Sequence, residues 1–216
     1  MSEAGSEQYY QSGYLLMERL IPPEVATALL ARMRADLARQ NVGLERLRQQ
    51  GPLLVSPAVE IYGYHYPMFA SFHWGLTAAV ERHVGRPLLP TYCYFRRYGK
   101  GDICKVHGDR PACEHSLSLT LGYSDGLPWP LEVARRPIET PYERADTAFD
   151  PAEDAASASM GVGAAVLYRG VHHHHGRTMP NPNRWSAHLF LHWVEKDGEY
   201  ADQAFDGHAL PQAVDF

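Results

Sequence analysis

Two stretches of the chain carry apolar residues at helical spacing. From Glu24 to Arg39 they recur at steps of three and four, at Val25, Ala28, Leu29, Met33 and Leu37. From Pro67 to Val84 the same spacing holds for Met68, Phe69, Phe72, Leu76, Ala79 and Val80. Proline suits the first turn of a helix, and Gly85 suits its end. We therefore predict two amphipathic helices that pack on the outer face of a sheet.

Other stretches alternate between apolar and polar residues, as half-buried strands do. In Ser116–Leu121 the leucines occupy one face and small polar residues the other, which suits a barrel interior that leaves room for a ligand. Ala187–Trp193 also alternates, as a barrel wall should. Strand-forming residues fill further short runs, at 13–17, 91–98, 129–133 and 161–168. The pattern predicts a mainly β protein braced by helices.

The length of 216 residues fits one domain. Residues 1–12 are polar and expected to be frayed, 13–90 to form a strand and supporting helices, 91–195 to form the core, and 196–216 to be a peripheral acidic tail. Between Ala134 and Met160 the sequence has little periodicity and contains an Ala/Ser run. That segment is expected to be either a mobile lid or a solvated insertion.

Composition narrows the classes of partner. The formal net charge is −5 without a long basic run, which argues against a nucleic-acid partner or an anionic membrane surface. No apolar stretch approaches the roughly 18 residues of a membrane span, and the first residues are acidic rather than basic and apolar. Three cysteines without C-x-x-C spacing favour neither a disulfide framework nor structural zinc. We expect a cytoplasmic protein that acts on a small molecule, and the sequence leaves its oligomeric state open.

Candidate chemistry comes from two histidine-containing stretches. In a strand His107 and Asp109 point to the same side, so they can offer an imidazole and a carboxylate to one point. A third ligand from the block 172–175 would complete the two-histidine, one-carboxylate triad that holds Fe(II). Alternation puts His173 and His175 on one face of a strand and the other two on the opposite face. Spacing alone does not choose among these four histidines.

The order of these features resembles the 2-oxoglutarate/Fe(II)-dependent oxygenases, particularly the small prolyl-hydroxylase-like branch. A strand-like H-x-D, an apolar strand, the Gly-rich segment Gly161–Tyr168, a histidine and an arginine that opens another strand follow one another over residues 91–195. The resemblance implies a double-stranded β-helix, the jelly roll that is also found in cupins. It also implies Fe(II), 2-oxoglutarate and O2, with C–H hydroxylation coupled to release of succinate and CO2.

The resemblance also implies roles for particular residues. His175 lies seven positions after Tyr168, as the distal ligand does in relatives with this lead-in, so the metal set is His107, Asp109 and His175. Residues implied to hold the cosubstrate are Arg184, nine positions after His175, with Ser186 and Tyr98. Arg177 is the main competitor of Arg184. Cys104 departs from the pattern, since many relatives have an aromatic residue there, so the cosubstrate pocket must be completed differently.

The prime substrate has no motif of its own. Chain size and the lack of a peptide groove or nucleic-acid face favour an unactivated C–H of an amino acid or other small metabolite. The alternatives are a protein side chain, as for prolyl hydroxylases, and, from other classes, a cupin-like metal-binding protein or a zinc hydrolase with the same ligands. Asp109 favours hydroxylation over halogenation, because halogenating relatives carry a small residue in its place. Desaturation and ring closure stay open.

Overall fold

A computed structural model describes residues 3–138 and 145–207. This part of the chain contains the helices α1 (Glu3–Ser12), α2 (Pro23–Arg39) and α3 (Pro67–Val84). Its strands are β1 (Tyr14–Met17), β2 (Arg48–Gln49), β3 (Ala58–Tyr62), β4 (Leu88–Gly99), β5 (Cys104–His107), β6 (His115–Tyr123), β7 (Leu131–Ala134), β8 (Ala155–Ala158), β9 (Ala165–Tyr168), β10 (His175–Arg177) and β11 (Trp185–Glu195).

The strands form two antiparallel sheets. The larger sheet has the order β1-β9-β6-β11-β4-β3-β2, and the smaller one has the order β5-β10-β7-β8. Strands that are distant in sequence are therefore neighbours in space, as in a jelly roll. The predicted mainly β architecture with bracing helices is confirmed.

Alternation along the large sheet separates a helix-packed face from a ligand-sized interior. Leu117, Leu119 and Leu121 of β6 are buried in the main apolar core, together with residues of α2 and α3. Ser116, Ser118 and Thr120 of the same strand are fully buried and point the other way, between the two sheets. The predicted small polar inner face is confirmed.

Both predicted helices are present at the expected positions. Each has proline at its first turn, where the missing amide hydrogen costs no hydrogen bond. Gly85 ends α3 with φ of 78°, a left-handed conformation that glycine adopts without strain. Within the described ranges, we find no helix with the length and apolarity to cross a membrane.

One expectation for the chain ends is wrong. Residues 3–12 form α1 rather than a frayed end, because Tyr9 is fully buried and its hydroxyl lies 2.9 Å from Nδ1 of His115. Polar composition hid this contact, which depends on tertiary packing. The described part of the tail has no buried residue, and its Asp206 accepts from Arg110 over 2.6 Å at the surface. Residues 208–216 lie outside the described ranges.

The segment from Ala134 to Met160 contains a strand that alternation did not reveal. Its Ala/Ser run forms β8, which pairs with β7 and extends the smaller sheet. Small residues carry little hydrophobic signal, so the alternation of buried and exposed positions in β8 is invisible in the sequence. Residues 155–158 are therefore part of the barrel wall. The question of a lid falls partly on residues 139–144, which lie outside the described ranges.

Candidate metal centre

The ends of two paired strands bring His107, Asp109 and His175 together. His107 ends β5, His175 begins β10, and the two are direct partners in the β ladder. Nε2 of His107 lies 3.5 Å from Oδ1 of Asp109, and Nε2 of His175 lies 3.4 Å from Oδ2. One ligand atom from each residue lies within 4.8 Å of the others. This is the spacing of donor atoms around a single metal ion.

Backbone contacts fix which nitrogen each imidazole presents. Nδ1 of His107 lies 2.7 Å from the carbonyl oxygen of Lys105, and Nδ1 of His175 lies 3.0 Å from that of His173. A carbonyl only accepts, so both Nδ1 atoms carry the proton and both Nε2 atoms present a lone pair. Two lone pairs and a carboxylate facing one point repel one another without a cation. The donor set therefore fits a metal ion such as Fe(II).

The pKa values of His107 and Asp109 are both lowered, so the imidazole is held neutral and the carboxylate ionised. Burial, with help from the neighbouring His175, lowers the pKa of His107 to about 3, so the ring is neutral at pH 7. Burial opposes ionisation of Asp109. The imidazoles of His175 and His107 outweigh that effect and hold the pKa of Asp109 well below its ordinary value. The carboxylate is therefore ionised.

Asp109 is held in place by its surroundings. Its amide donates to the carbonyl of Gly170 over 2.9 Å, and Ser116 Oγ donates to its Oδ2 over 3.2 Å. A Cβ at Gly170 would lie 2.3 Å from Oδ2 and 2.7 Å from the carbonyl oxygen of Cys113. Only glycine fits beside the carboxylate. Gly170, which precedes the histidine block, thus leaves space for the site.

The other three members of the histidine block point elsewhere. His173 donates from Nδ1 to the carbonyl of Ala134 over 2.8 Å, and His174 contacts Glu153. His172 is half-buried near Tyr200, with 6.2 Å between ring centroids. The structure brings His175, and not His173, to His107 and Asp109.

Arg184 lies outside this site, so its expected place beside the metal is wrong. Its side chain is 75% exposed, and its Nε lies 3.2 Å from Oδ1 of Asp125. The residue precedes the first residue of β11, where the chain is still on the rim of the barrel. The nine-residue interval after His175 therefore ends in a surface ion pair.

Arg177, the competitor, occupies the interior. It is 1% exposed, lines the same cavity as the metal triad, and donates from Nη2 to Ser118 Oγ over 3.1 Å. Its Nε has no hydrogen-bond partner, and no acidic side chain of the described residues forms an ion pair with it. A buried, unneutralised guanidinium is costly unless an anion joins it. The buried guanidinium is therefore suited to bind a carboxylate of a ligand.

Ser186 and Tyr98 are buried, but neither lines the cavity beside the triad. Ser186 donates to Oδ1 of Asn181 over 2.7 Å, so its hydroxyl belongs to a loop network, contrary to expectation. The Tyr98 hydroxyl accepts from Nη1 of Arg96 over 3.0 Å. Tyr94, four residues earlier on the same inner face, lines the cavity instead.

Sequence reasoning missed several inner-face residues. Arg96 lines the cavity, but its charge is compensated by Glu60 at 2.6 Å. His192 also lines it, and burial lowers its pKa to about 4, so its ring is neutral at pH 7. The period-two alternation of β4 and β11 could have identified both, because Arg96 and His192 share faces with cavity-lining neighbours.

A larger cavity of about 370 Å³ adjoins the triad. It shares four lining residues with the metal cavity: Tyr94, Arg96, His107 and Asp109. Its remaining walls include Tyr62 and Tyr92, with Arg110 beside them. The open side of the candidate metal site therefore faces a chamber large enough for a small molecule.

No family model and no curated protein matches the sequence. Solved structures match over most of the chain. The non-heme α-ketoglutarate-dependent carbocyclase SnoK from nogalamycin biosynthesis has a TM-score of 0.67 and 13% identity, covering 91% of this chain and 85% of its own. A prolyl-4-hydroxylase from Pseudomonas putida has a TM-score of 0.56 and 16% identity, covering 89% and 97%.

HygX from Streptomyces hygroscopicus, with nickel and 2-oxoglutarate bound, has a TM-score of 0.61 and 14% identity, covering 91% and 88%. At these identities the likeness establishes the fold. The chain has the double-stranded β-helix fold of these structures, as expected from the sequence.

Proposed function

We propose that the protein is an Fe(II)- and 2-oxoglutarate-dependent oxygenase whose metal is held by His107, Asp109 and His175. The observation that carries the proposal is the convergence of two imidazole Nε2 atoms and one carboxylate beside a buried guanidinium without a counter-ion. When bound, the ferrous ion with 2-oxoglutarate and O2 supplies C–H oxidation coupled to decarboxylation, giving succinate and CO2. The fold is shared with a chain that binds nickel and 2-oxoglutarate.

Arg177 is the residue that we assign to the distal carboxylate of 2-oxoglutarate. Its free Nε and the Ser118 hydroxyl beside its Nη2 offer hydrogen bonds to a carboxylate. Trp129 and Phe190 lie 5.1 Å and 6.0 Å from the guanidinium carbon and shield it from water. Shielding strengthens a charge-assisted hydrogen bond. Arg177 therefore takes the role that the sequence suggested for Arg184.

Hydroxylation of a small molecule is the outcome we favour. Asp109 occupies the carboxylate position of the triad, and the adjoining chamber of about 370 Å³ suits a metabolite better than a protein segment. Structures with this fold include a carbocyclase, an epimerase and a prolyl hydroxylase, so the fold leaves the type of product open. A prolyl-hydroxylase type of reaction on a protein side chain is the second candidate.

A zinc hydrolase could use the same three ligands with water in the fourth position. The unpaired Arg177 favours the oxygenase, because a hydrolytic zinc site needs no buried carboxylate anchor. Anaerobic loading with Fe(II), followed by 2-oxoglutarate and then O2, tests the proposal. We expect succinate to form only when all three are present. Succinate formation that is absent with Fe(II), together with hydrolytic activity of the zinc-loaded protein, would overturn it.

A further inference from the structure

His192 lies on the inner face of β11, next to the metal triad but outside it. It lines the metal cavity and is 2% exposed. A ligand atom of His192 lies within 4.8 Å of ligand atoms of Asp109 and Cys113, and this set contains neither His107 nor His175. The imidazole is therefore placed beside the proposed metal ligands, in the wall of the cavity that adjoins the chamber of about 370 Å³.

Hydrogen bonding around Ser116 fixes the tautomer of His192. Ser116 Oγ donates to Oδ2 of Asp109 over 3.2 Å and lies 2.8 Å from Nδ1 of His192. The hydroxyl has one proton, and a carboxylate can only accept. Both contacts are satisfied together only when Nδ1 of His192 donates to Ser116. The neutral ring then presents a bare lone pair at Nε2.

That lone pair has no partner in the described part of the chain. Nε2 of His192 is buried and makes no hydrogen bond. Cys113 is engaged elsewhere, since its Sγ lies 3.2 Å from the Tyr92 hydroxyl. A buried acceptor without a donor costs free energy that a ligand O–H or N–H would recover. A hydrogen-bond donor on the substrate would satisfy this nitrogen.

Flat rings form the walls next to His192. Tyr92 stacks on the imidazole, with 4.6 Å between centroids and 30° between planes. Tyr94 lies 6.1 Å from Tyr92 at 11°, and Tyr62 continues the row 5.4 Å from Tyr94. All three tyrosines line the chamber of about 370 Å³. Such walls recognise a flat ring by stacking.

The charges of the chamber limit the charge of its occupant. Among the described lining residues the charged groups are Arg96, Arg110 and the proposed metal ligand Asp109. Asp109 is committed to the metal under the proposed function, so no carboxylate is left for a cationic substrate. The chamber suits a neutral or anionic molecule.

We propose that His192 is a specificity-determining residue that accepts a hydrogen bond from an O–H or N–H group of a flat, neutral or anionic ring compound, whose ring lies in this chamber and whose donor group reaches the adjoining metal cavity. The inference rests on the proposed oxygenase function and names its substrate class. It assigns the substrate donor to the part of the cavity wall where Ser116 joins His192 to Asp109.

Binding of three matched ring compounds tests the assignment: 2-naphthol, 2-methoxynaphthalene, which lacks the donor, and 2-naphthylmethylammonium, which is cationic. Dissociation constants are measured on protein loaded with Ni(II) and 2-oxoglutarate, and again on the metal-free protein. We expect wild type to prefer 2-naphthol over the methoxy compound by about tenfold, as one hydrogen bond to a buried acceptor would give. The ammonium compound should bind weakest.

The variant His192→Phe keeps a flat ring without the acceptor, and we expect it to bind the naphthol and the methoxy compound equally. His192→Gln retains an acceptor and should keep part of the preference, and it also serves if the Phe variant does not fold. Equal binding of the pair by wild type, or a preference that survives His192→Phe, would overturn the assignment. Tightest binding of the ammonium compound, or no binding of any ring, would overturn the substrate class.

Calorimetry of 2-oxoglutarate binding without any ring compound separates this inference from the proposed function. A Ni(II)-loaded protein that does not bind 2-oxoglutarate counts against the function. A protein that binds 2-oxoglutarate and shows no preference for 2-naphthol counts against His192 alone.

Discussion

His107 and His175 are direct cross-strand partners, and their ring centroids lie 4.3 Å apart. The β ladder between β5 and β10 therefore sets the distance between two proposed metal ligands that are far apart in sequence. Loop closure over such a span adds only a few kcal/mol, and the sheet compensates for it with hydrogen bonds that are part of the fold. The geometry of the proposed metal site is thus set by the strand register.

Removing any one member of the triad should abolish turnover. We expect His107→Ala, Asp109→Ala and His175→Ala each to lower succinate formation by at least about a hundredfold, because each removes a metal ligand rather than an outer partner. Bound iron, measured after desalting, should fall in parallel. Full activity in any of the three variants would remove that residue from the site.

Neighbouring histidines supply the matched control. His172→Ala should retain iron and activity, because its ring lies near Tyr200 and away from the triad. His174→Ala should do the same, apart from a loss of stability from its contact with Glu153. Loss of iron from either variant, with folding intact by circular dichroism, would show that the wrong histidine was assigned.

Replacing Arg177 should weaken 2-oxoglutarate binding selectively. We expect Arg177→Met to raise the KM for 2-oxoglutarate by about 10- to 100-fold, because it removes a charge-assisted hydrogen bond in a site shielded from water. Arg184→Met is the matched control and should leave this KM unchanged, since its side chain is 75% exposed and pairs with Asp125. The reverse pattern would restore Arg184 as the anchor.

The ion pair between Arg96 and Glu60 is buried, with side-chain exposures of 9% and 6%. Glu60→Gln leaves the guanidinium without its counter-ion, so the free energy of unfolding should fall by about 3–5 kcal/mol. Glu45→Gln, in the exposed pair with Arg97, should cost less than about 1 kcal/mol. Urea unfolding measures both, and equal losses would argue against the buried pair.

Acid should destabilise the protein through buried neutral histidines. Burial lowers the pKa of His73 to about 3, below its ordinary value of 6.5. Below pH 6.5 His73 binds a proton in the unfolded chain but stays neutral in the folded chain. The free energy of unfolding therefore decreases as the pH falls toward 3. For one such group the loss between pH 7 and pH 5 is about 2 kcal/mol.

The variant His73→Phe should therefore lose about 2 kcal/mol less than wild type over that interval, measured by urea unfolding at both pH values. His65→Phe, at an exposed position, is the control and should behave as wild type. An identical pH dependence in the His73 variant would show that this ring is protonated in the folded protein.

Prediction from the sequence succeeded where local pattern and strand pairing agree. The H-x-D pair and the small polar face of β6 follow from period-two alternation, whereas the choice of His175 over His173 follows from the resemblance to the oxygenases. The prediction failed for Arg184. A nine-residue interval after His175 does not show that Arg184 precedes β11 and lies at the rim of the barrel. Burial, which separates Arg177 from Arg184, is a tertiary property.

Two further elements could not be read from the sequence for similar reasons. The helix α1 is fixed by Tyr9 and its contact with His115, across more than a hundred residues. The strand β8 consists of Ala and Ser, whose pattern carries almost no hydrophobic contrast. Both depend on partners that the local sequence does not specify.

The most direct test of a ferrous site that binds 2-oxoglutarate is the visible spectrum of the anaerobic protein. Adding Fe(II) and 2-oxoglutarate to wild type should produce the weak charge-transfer band of the chelate, and His175→Ala should lack it while Arg184→Met keeps it. Wild-type protein that shows no band and retains zinc tightly instead would contradict the account.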